Sequence, residues 1–227
     1  MSKNTAELRT LTYVLRRTNY GEADRILTLL TPQGKISALA RGVRKEKSKL
    51  AGGIEMFCLS DINIHQGRGE LGIITSAKML KFYANLTTDF ARLELASTIL
   101  KKIAVATDAT DNPDFFKITD TSLKFLNAGL NQELVAAWFW FNFAKACGEQ
   151  INLYRDINGA KLIPNQNYFW DVAENALRPA PDGNITTDAI KLMRLLLTAD
   201  LDVVARIKNT TPLLPPILAI ACAINKV

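Results

Sequence analysis

The sequence has very few of the side chains on which metal sites and many enzymes depend. Its 227 residues include three cysteines and one histidine, His65. The cysteines are too scattered to supply the three or four ligands of a zinc site, so we expect no metal and no other cofactor. A histidine-dependent triad would have to use His65. This residue lies at the end of an alternating strand segment, a position that favours a strand-edge residue over a catalytic base. The GxxxxGK[ST] phosphate-binding loop is also missing, and we expect a protein that is not an enzyme.

Long apolar segments are also missing. The longest apolar run, Leu213–Ile224, has 12 residues and contains two prolines, whereas a membrane span needs about 20 residues. Scattered cysteines without a signal peptide are typical of a reducing compartment. We therefore expect a cytoplasmic protein that does not associate with membranes.

The excess positive charge of the chain is confined to its first third. Residues 1–80 contain 13 Lys and Arg against seven Asp and Glu, a net charge of +6, whereas residues 81–227 contain 15 of each. Charge that is separated in this way is typical of a polyanion-binding module joined to a neutral one. A basic composition that serves only solubility explains the sign of the charge but not its position.

Short apolar segments separated by glycine and proline predict five strands in the basic third. Their predicted ranges are 11–16, 25–30, 36–40, 54–65 and 71–76. In the first strand, Leu11, Tyr13 and Leu15 should share one buried face. In the fourth, the apolar positions change from odd to even numbers after Leu59, which predicts a β-bulge. Five short strands with small-residue turns predict a small closed barrel.

From about residue 82 the apolar residues recur with a helical period. The predicted helices span 89–106, 114–127, 132–147, 188–198, 200–208 and 216–225. Thr87 and Thr88 are candidate N-caps of the first helix, and Asn131 is the candidate N-cap of the third. Residues 149–184 lose this period, so we expect an irregular segment there with a hairpin at about 160–172. The sequence thus predicts an α+β protein with a barrel domain, residues 1–80, and an all-α bundle domain, residues 81–227.

The sharpest local feature is a cationic loop between the third and fourth strands. Its residues, 41–49, include five basic side chains and one acidic one. A flexible loop of this composition can follow a phosphate backbone without a fixed register. Basic residues of the neighbouring strands and of the turn at 67–70 should extend it into one face. The candidate DNA-binding residues are Arg16, Arg17, Lys35, Arg41, Arg44, Lys45, Lys47, Lys49 and Arg68.

Few aromatic residues accompany these bases. Proteins that bind single strands usually stack bases on exposed rings. Tyr13, Tyr20 and Phe57 are the nearby candidates, and the alternation half-buries Tyr13 and Phe57. The sequence therefore predicts binding through the phosphate backbone, with little reading of bases.

Six short motifs of the chain lie at 13–17, 19–25, 31–35, 40–45, 48–52 and 67–71. In this order they resemble the motifs of the bacterial RecO family of recombination mediators. The resemblance is strong over about residues 10–80 and is a shared helix pattern over 85–227. It implies an OB-fold barrel followed by a helical domain without enzymatic turnover.

Function and partners are implied by this resemblance alone. Members of the family bind single- and double-stranded DNA, anneal complementary strands and, with RecR, help to load RecA on DNA coated by single-strand binding protein. The implied partners are therefore DNA, RecR, the acidic C-terminal tail of single-strand binding protein and, indirectly, RecA, at the bacterial nucleoid. Many members also carry a four-cysteine zinc module, but residues 149–180 contain no cysteine here. The segment at 149–184 is thus predicted to be a degenerate, zinc-less module.

Two other functions stay open from the residues themselves. An RNA-binding OB module, attached to a helical partner domain or associated with the ribosome, fits the same charge because a basic groove does not read the 2′-OH. A protein–protein adaptor whose basic face meets an acidic partner fits it as well.

Overall fold

The computed structural model describes residues 6–66 and 71–226, which form two compact units. The units divide between Ala128 and Gly129, whereas the change from strands to helices falls near the predicted boundary, after Phe82. The first two helices therefore belong to the same compact unit as the strands. The expected fold class, a five-stranded barrel followed by helices, is confirmed.

The strands of the first unit close into a barrel with the order β1-β2-β3-β5-β4. Neighbouring strands are antiparallel except β3 and β5, which run parallel and pair at Ala38–Gly72 and Leu39–Ile73. This is the five-stranded OB-fold barrel that the resemblance implied. The strands are β1 (Ala6–Tyr20), β2 (Asp24–Thr31), β3 (Gly34–Ala40), β4 (Cys58–Gln66) and β5 (Gly72–Phe82).

Both faces of the middle of β1 are buried, and the predicted burial pattern was therefore wrong in part. Val14 enters the barrel core, although the alternation assigned it to the polar face. Tyr13 is buried on the outer face instead, where its ring packs against Phe116 with centroids 5.5 Å apart. Leu11, beyond this cover, is 38% exposed. The pattern failed because two helices cover the outer side of the strand, so that a residue on either face can be apolar.

The bulge predicted in the fourth strand lies elsewhere. Even-numbered residues are buried along the whole of β4 from Cys58 to Ile64, with no change of phase. Phe57, which suggested the change, precedes the strand and has a φ of +57°. The β4–β5 register instead skips Thr75 and Leu80, so the additional residues belong to β5.

Helices α1 (Phe90–Ala109) and α2 (Asp114–Asn127) complete the first unit. The N-cap of α1 is Asp89, whose carboxylate accepts a hydrogen bond from the backbone N–H of Arg92 at 3.0 Å. The prediction of Thr87 or Thr88 as the cap was wrong by two residues or one. Their hydroxyls donate backwards to the carbonyls of the preceding turn, as threonine often does at such positions.

A buried hydrogen-bonded cluster joins α2 to the barrel. The hydroxyl of Tyr13 donates to Asp120 Oδ1 at 2.6 Å and lies 3.0 Å from the hydroxyl of Tyr83. Burial, followed by the hydrogen bond to Asp120, raises the pKa of Tyr13 far above its usual value. Burial also raises the pKa of Tyr83. Both phenols therefore remain neutral and act as hydrogen-bonding groups.

The second unit is built around α3 (Gln132–Ala146), which packs against α4 (Thr187–Thr198) and α6 (Leu214–Asn225). Asn131 caps α3 as predicted, since its side chain accepts from the N–H of Leu134 at 3.1 Å. The helix predicted at 200–208 is shorter, α5 (Leu201–Val204). A hairpin interrupts the helices as expected, but its strands lie further along the chain, at β6 (Tyr168–Asp171) and β7 (Ala176–Pro179).

Candidate nucleic-acid interface

The cationic loop, residues 41–49, lies at the end of the barrel that also carries the β1–β2 turn. β3 ends at Ala40, which pairs with Arg25 near the start of β2. Five basic side chains of the loop are exposed to solvent: Arg41, Arg44, Lys45, Lys47 and Lys49. Among the ion pairs between described residues, none involves these five side chains. Their charges are therefore available to an anionic partner.

The backbone of the first half of the cationic loop is held in place. The N–H of Gly42 donates to Asp24 Oδ1 at 2.6 Å, and the N–H of Arg44 donates to the carbonyl of Ala23 at 2.8 Å. Gly42 has a φ of +62°, a conformation in which a larger residue would be strained. The freedom expected for the loop is thus limited in this half to its long side chains. Fixed backbone positions with solvated cationic heads are suited to phosphates.

Two of the predicted residues lie apart from the cationic loop, on the outer face of the barrel. Lys35 forms an ion pair with Asp108 at the end of α1, and Arg16 is close enough to help lower the pKa of that carboxyl. The hydrogen bond from Lys35 is the main cause of this lowered pKa. Lys35 is five residues from the end of β3, which corresponds to about 16 Å along the strand. The charge of Lys35 is thus neutralised by Asp108, at a distance from the cationic loop.

Arg17 and Arg68 complete the predicted set. Arg17 Nη1 lies 2.6 Å from Glu55 Oε2, and its side chain is 30% exposed, so its charge is largely satisfied within the chain. Arg68 lies outside the described residues. Of the nine predicted residues, the structure therefore brings together the five of the cationic loop.

The sequence reasoning missed the last residues of β5, which we call the β5 tip (Lys78–Phe82). Met79, Leu80 and Phe82 are 40–48% exposed there, and Lys78 and Lys81 are exposed beside them. The pairing of β3 with β5 stops at Ile73, so β3 does not cover this part of the strand. An exposed ring beside cations is the combination on which bases of a single strand stack.

The β5 tip and the cationic loop occupy the same end of the barrel. Phe82 pairs with Cys58 at the start of β4, and Glu55, just before this strand, is the ion-pair partner of Arg17 near the end of β1. Tyr20, the last residue of β1, is 56% exposed at this end as well. The predicted fifth strand ended at residue 76, whereas β5 continues to Phe82. The signal that could have extended the predicted strand is Phe82, a strand-favouring residue beyond Lys78 and Lys81.

Three other features bear on function: metal-binding clusters, membrane-spanning helices and the reactivity of the Cys58 thiol. Within 6–66 and 71–226, His, Cys, Asp and Glu side chains nowhere form a group of three that could hold a metal ion. Over the same residues, every helix is too short or too polar to cross a membrane. Burial raises the pKa of the Cys58 thiol to about 11, which leaves it protonated and unreactive near neutral pH.

Comparisons with known proteins match both halves of the chain to one family. The sequence model for "Recombination protein O N terminal" matches residues 3–83, and that for "Recombination protein O C terminal" matches residues 88–220. The DNA repair protein RecO of Roseiflexus sp. (strain RS-1) is 32% identical over 203 residues, which cover 86% of this chain and 71% of that protein. The DNA repair protein RecO of Dehalococcoides mccartyi (strain 195) is 27% identical over 210 residues, 89% of this chain and 83% of that protein.

Proposed function

Because the chain belongs to the recombination protein O family, we propose that it acts in DNA repair as a recombination mediator without catalytic turnover. It binds single- and double-stranded DNA and anneals complementary strands. The observation that carries this proposal is the cationic loop, whose five exposed basic side chains have no ion-pair partner among the described residues.

Strand annealing follows from the contacts that the cationic loop makes with phosphates. Two DNA strands repel each other through their phosphates, and basic side chains that bind phosphates reduce this repulsion. Phosphate contacts leave the base edges free to pair. The β5 tip adds an exposed ring, Phe82, on which unpaired bases of one strand stack before the second strand arrives.

The partners implied by the family, RecR and single-strand binding protein, belong to the same proposal, and RecA acts indirectly. The acidic tail of single-strand binding protein fits a pocket of the second unit, which includes Leu153, Leu197 and the bases Lys145 and Arg194. Arg194 is preorganised because its guanidinium donates to the carbonyl of Leu153 at 2.6 and 2.9 Å. The other N–H groups of Arg194 and the ammonium group of Lys145 can donate hydrogen bonds to a carboxylate. Glu149 also lines the pocket, and its negative charge offsets one of the two positive charges.

Strand annealing tests the proposal most directly. Complementary fluorescent oligonucleotides are mixed with the protein, with and without a coat of single-strand binding protein. We expect the protein to accelerate annealing in both cases. An RNA strand of the same sequence serves as competitor, and stronger binding to RNA than to DNA would favour the RNA-binding module instead. Absence of DNA binding at low salt would contradict the proposal and leave the adaptor function.

The tail pocket is tested separately by fluorescence anisotropy with a synthetic peptide of that acidic tail. Lys145→Ala should weaken peptide binding several-fold, because it removes one of the two bases on the rim. Lys161→Ala, an exposed lysine of the same unit, is the matched control. Equal affinities of the two variants would place the tail elsewhere.

A further inference from the structure

The β6–β7 hairpin has one strand edge that is only partly covered. The N–H of Ala180 donates to the carbonyl of Asn167 at 3.0 Å, and the antiparallel alternation then directs the backbone groups of Tyr168 and Trp170 away from β7. Tyr168 uses both of its groups there, exchanging hydrogen bonds of 3.0 and 2.9 Å with Ile185. The backbone N–H and carbonyl of Trp170 face the same side. Neither group takes part in any of the backbone hydrogen bonds between described residues on that side.

The opposite edge of the hairpin is covered at Leu177. The N–H of Ile157 donates to the carbonyl of Leu177 in β7 at 2.9 Å, and residues 156 and 177 form a bridge. Trp170 is therefore open on its outer side, whereas its cross-strand partner Leu177 is covered. An open edge is a template on which another extended chain can pair.

The side chain of Trp170 offers a second unpaired donor at the same place. Its indole Nε1 is buried and has no hydrogen-bond partner among the described atoms. By contrast, the indole of Trp138 donates to the carbonyl of Ala199 at 3.2 Å. Buried polar groups are nearly always hydrogen-bonded, so the indole N–H of Trp170 is an exception that lies beside the open edge.

A groove next to this edge has the shape and polarity of a peptide site. Trp170 and Ile185 line it on the hairpin side, and Pro216, Ile220 and Ala223 line it from α6. Its lining side chains carry no charge. Because phosphates and acidic peptides bind to basic side chains, they are not the ligands that this lining favours. Its volume of about 220 Å³ is below the roughly 300–1,000 Å³ of small-molecule and cofactor sites.

The hairpin also exposes apolar surface at the groove. Val172, which follows β6, is 67% exposed, and Phe169 is 40% exposed; both contribute to the lining. Large apolar side chains next to unpaired backbone are costly to leave in water and favour an apolar partner.

We propose that this groove binds an extended, uncharged and apolar peptide segment of a partner protein, which pairs as an added strand with the β6 edge at Trp170. The peptide backbone supplies a donor and an acceptor to the backbone of Trp170, and one of its carbonyls accepts from the indole Nε1 once that side chain turns toward the groove. Apolar side chains of the peptide fill the groove against α6. This is strand addition, in which the main chain gives affinity and the side-chain pockets give selectivity.

Peptide selection on the full-length protein tests this site. A random library of eight-residue peptides is selected on the wild-type protein and counter-selected on Ala219→Arg, which places a long charged side chain at an exposed position lining the groove. Ala91→Arg, at an exposed helical alanine of the first unit, is the matched control. We expect enriched peptides that are uncharged, apolar and strand-favouring, with binding kept by Ala91→Arg and lost by Ala219→Arg.

Two further measurements separate strand addition from simple apolar adhesion. The selected peptide should shift the indole N–H signal of Trp170 in a nitrogen-edited NMR spectrum, and methylation of its backbone nitrogens should abolish binding. Trp170→Phe keeps the ring but removes the donor, and should weaken binding about fivefold. DNA binding should be unchanged in Ala219→Arg, because the cationic loop lies in the first unit.

Three results would overturn the proposal. The first is the failure of any peptide to be enriched on the wild-type protein over Ala219→Arg. The second is a predominance of acidic peptides whose binding survives Ala219→Arg. The third is self-association in sedimentation equilibrium that Ala219→Arg abolishes, since a second copy of the chain would then be the occupant.

Discussion

The salt dependence of DNA binding is the most direct quantitative consequence of the cationic loop. Each phosphate contact on a single strand contributes about −0.7 to the slope of log K against log salt. If the five exposed bases of the loop each contact one phosphate, the slope is about −3.5. Affinity then falls about 130-fold when salt rises from about 50 to 200 mM.

The perturbation removes four of these bases together, Arg44, Lys45, Lys47 and Lys49, each replaced by alanine. The backbone bonds that hold the loop come from the N–H groups of Gly42 and Arg44, so they survive the substitutions. Among the side-chain hydrogen bonds of the described residues, the substitutions remove one, of 3.3 Å from Arg44 Nη1 to the Gly21 carbonyl. Exposed side chains of this kind affect stability by about 0.5 kcal/mol or less each.

We expect the slope of the four-alanine variant to fall to about −0.7, with an affinity loss of about 2.6-fold over the same salt range. Fluorescence anisotropy with a labelled single-stranded oligonucleotide measures both quantities. The matched control removes four exposed bases of the second unit: Lys161, Lys191, Arg206 and Lys208. A slope that changes by less than about 1, or equally in the two variants, would refute the assignment of the loop as the phosphate-binding element.

Three further predictions concern the barrel and its surroundings. Tyr13→Phe removes the hydrogen bond to Asp120 and should lower the free energy of unfolding by about 2 kcal/mol; a urea titration that shows less than about 0.5 would contradict this. Phe82→Ala should weaken binding to single-stranded DNA about tenfold and leave duplex binding unchanged, with Phe90→Ala as control; equal losses on both DNA forms would argue against stacking. The hydrogen bond from Arg9 lowers the pKa of Asp61 below 3.8. The ionised Arg9–Asp61 pair therefore stabilises the fold above that pH, and this stabilisation is lost as the pH falls through the lowered pKa of Asp61. Acid-unfolding curves should therefore be less steep for Asp61→Asn, and identical curves would contradict the role of this pair.

The parts of the fold that follow from local chemistry were predictable from sequence. Glycine and proline mark the turns between the first strands, and Asn131 marks the start of α3 through its capping side chain. The cationic loop was predictable for the same reason, because its five bases are contiguous in the chain.

The features that failed depend on residues far apart in sequence. Lys35 and Asp108 are 73 positions apart and Arg17 and Glu55 are 38 apart, so nothing local shows that these bases are already paired. The burial of Tyr13 on the outer face likewise depends on α2, about a hundred residues later. Local periodicity reports that a position is apolar but does not report which neighbour covers it.

The cluster of Tyr13, Tyr83 and Asp120 determines where the chain can be divided. A fragment that ends at Phe82 would contain all five strands but would lose Asp120 and the helical cover of β1, leaving Tyr13 and its apolar neighbours in water. A fragment that continues to Ala128 retains the first compact unit. The smallest soluble piece that carries the cationic loop should therefore include both α1 and α2, and a protease acting on the native protein should leave that longer piece intact.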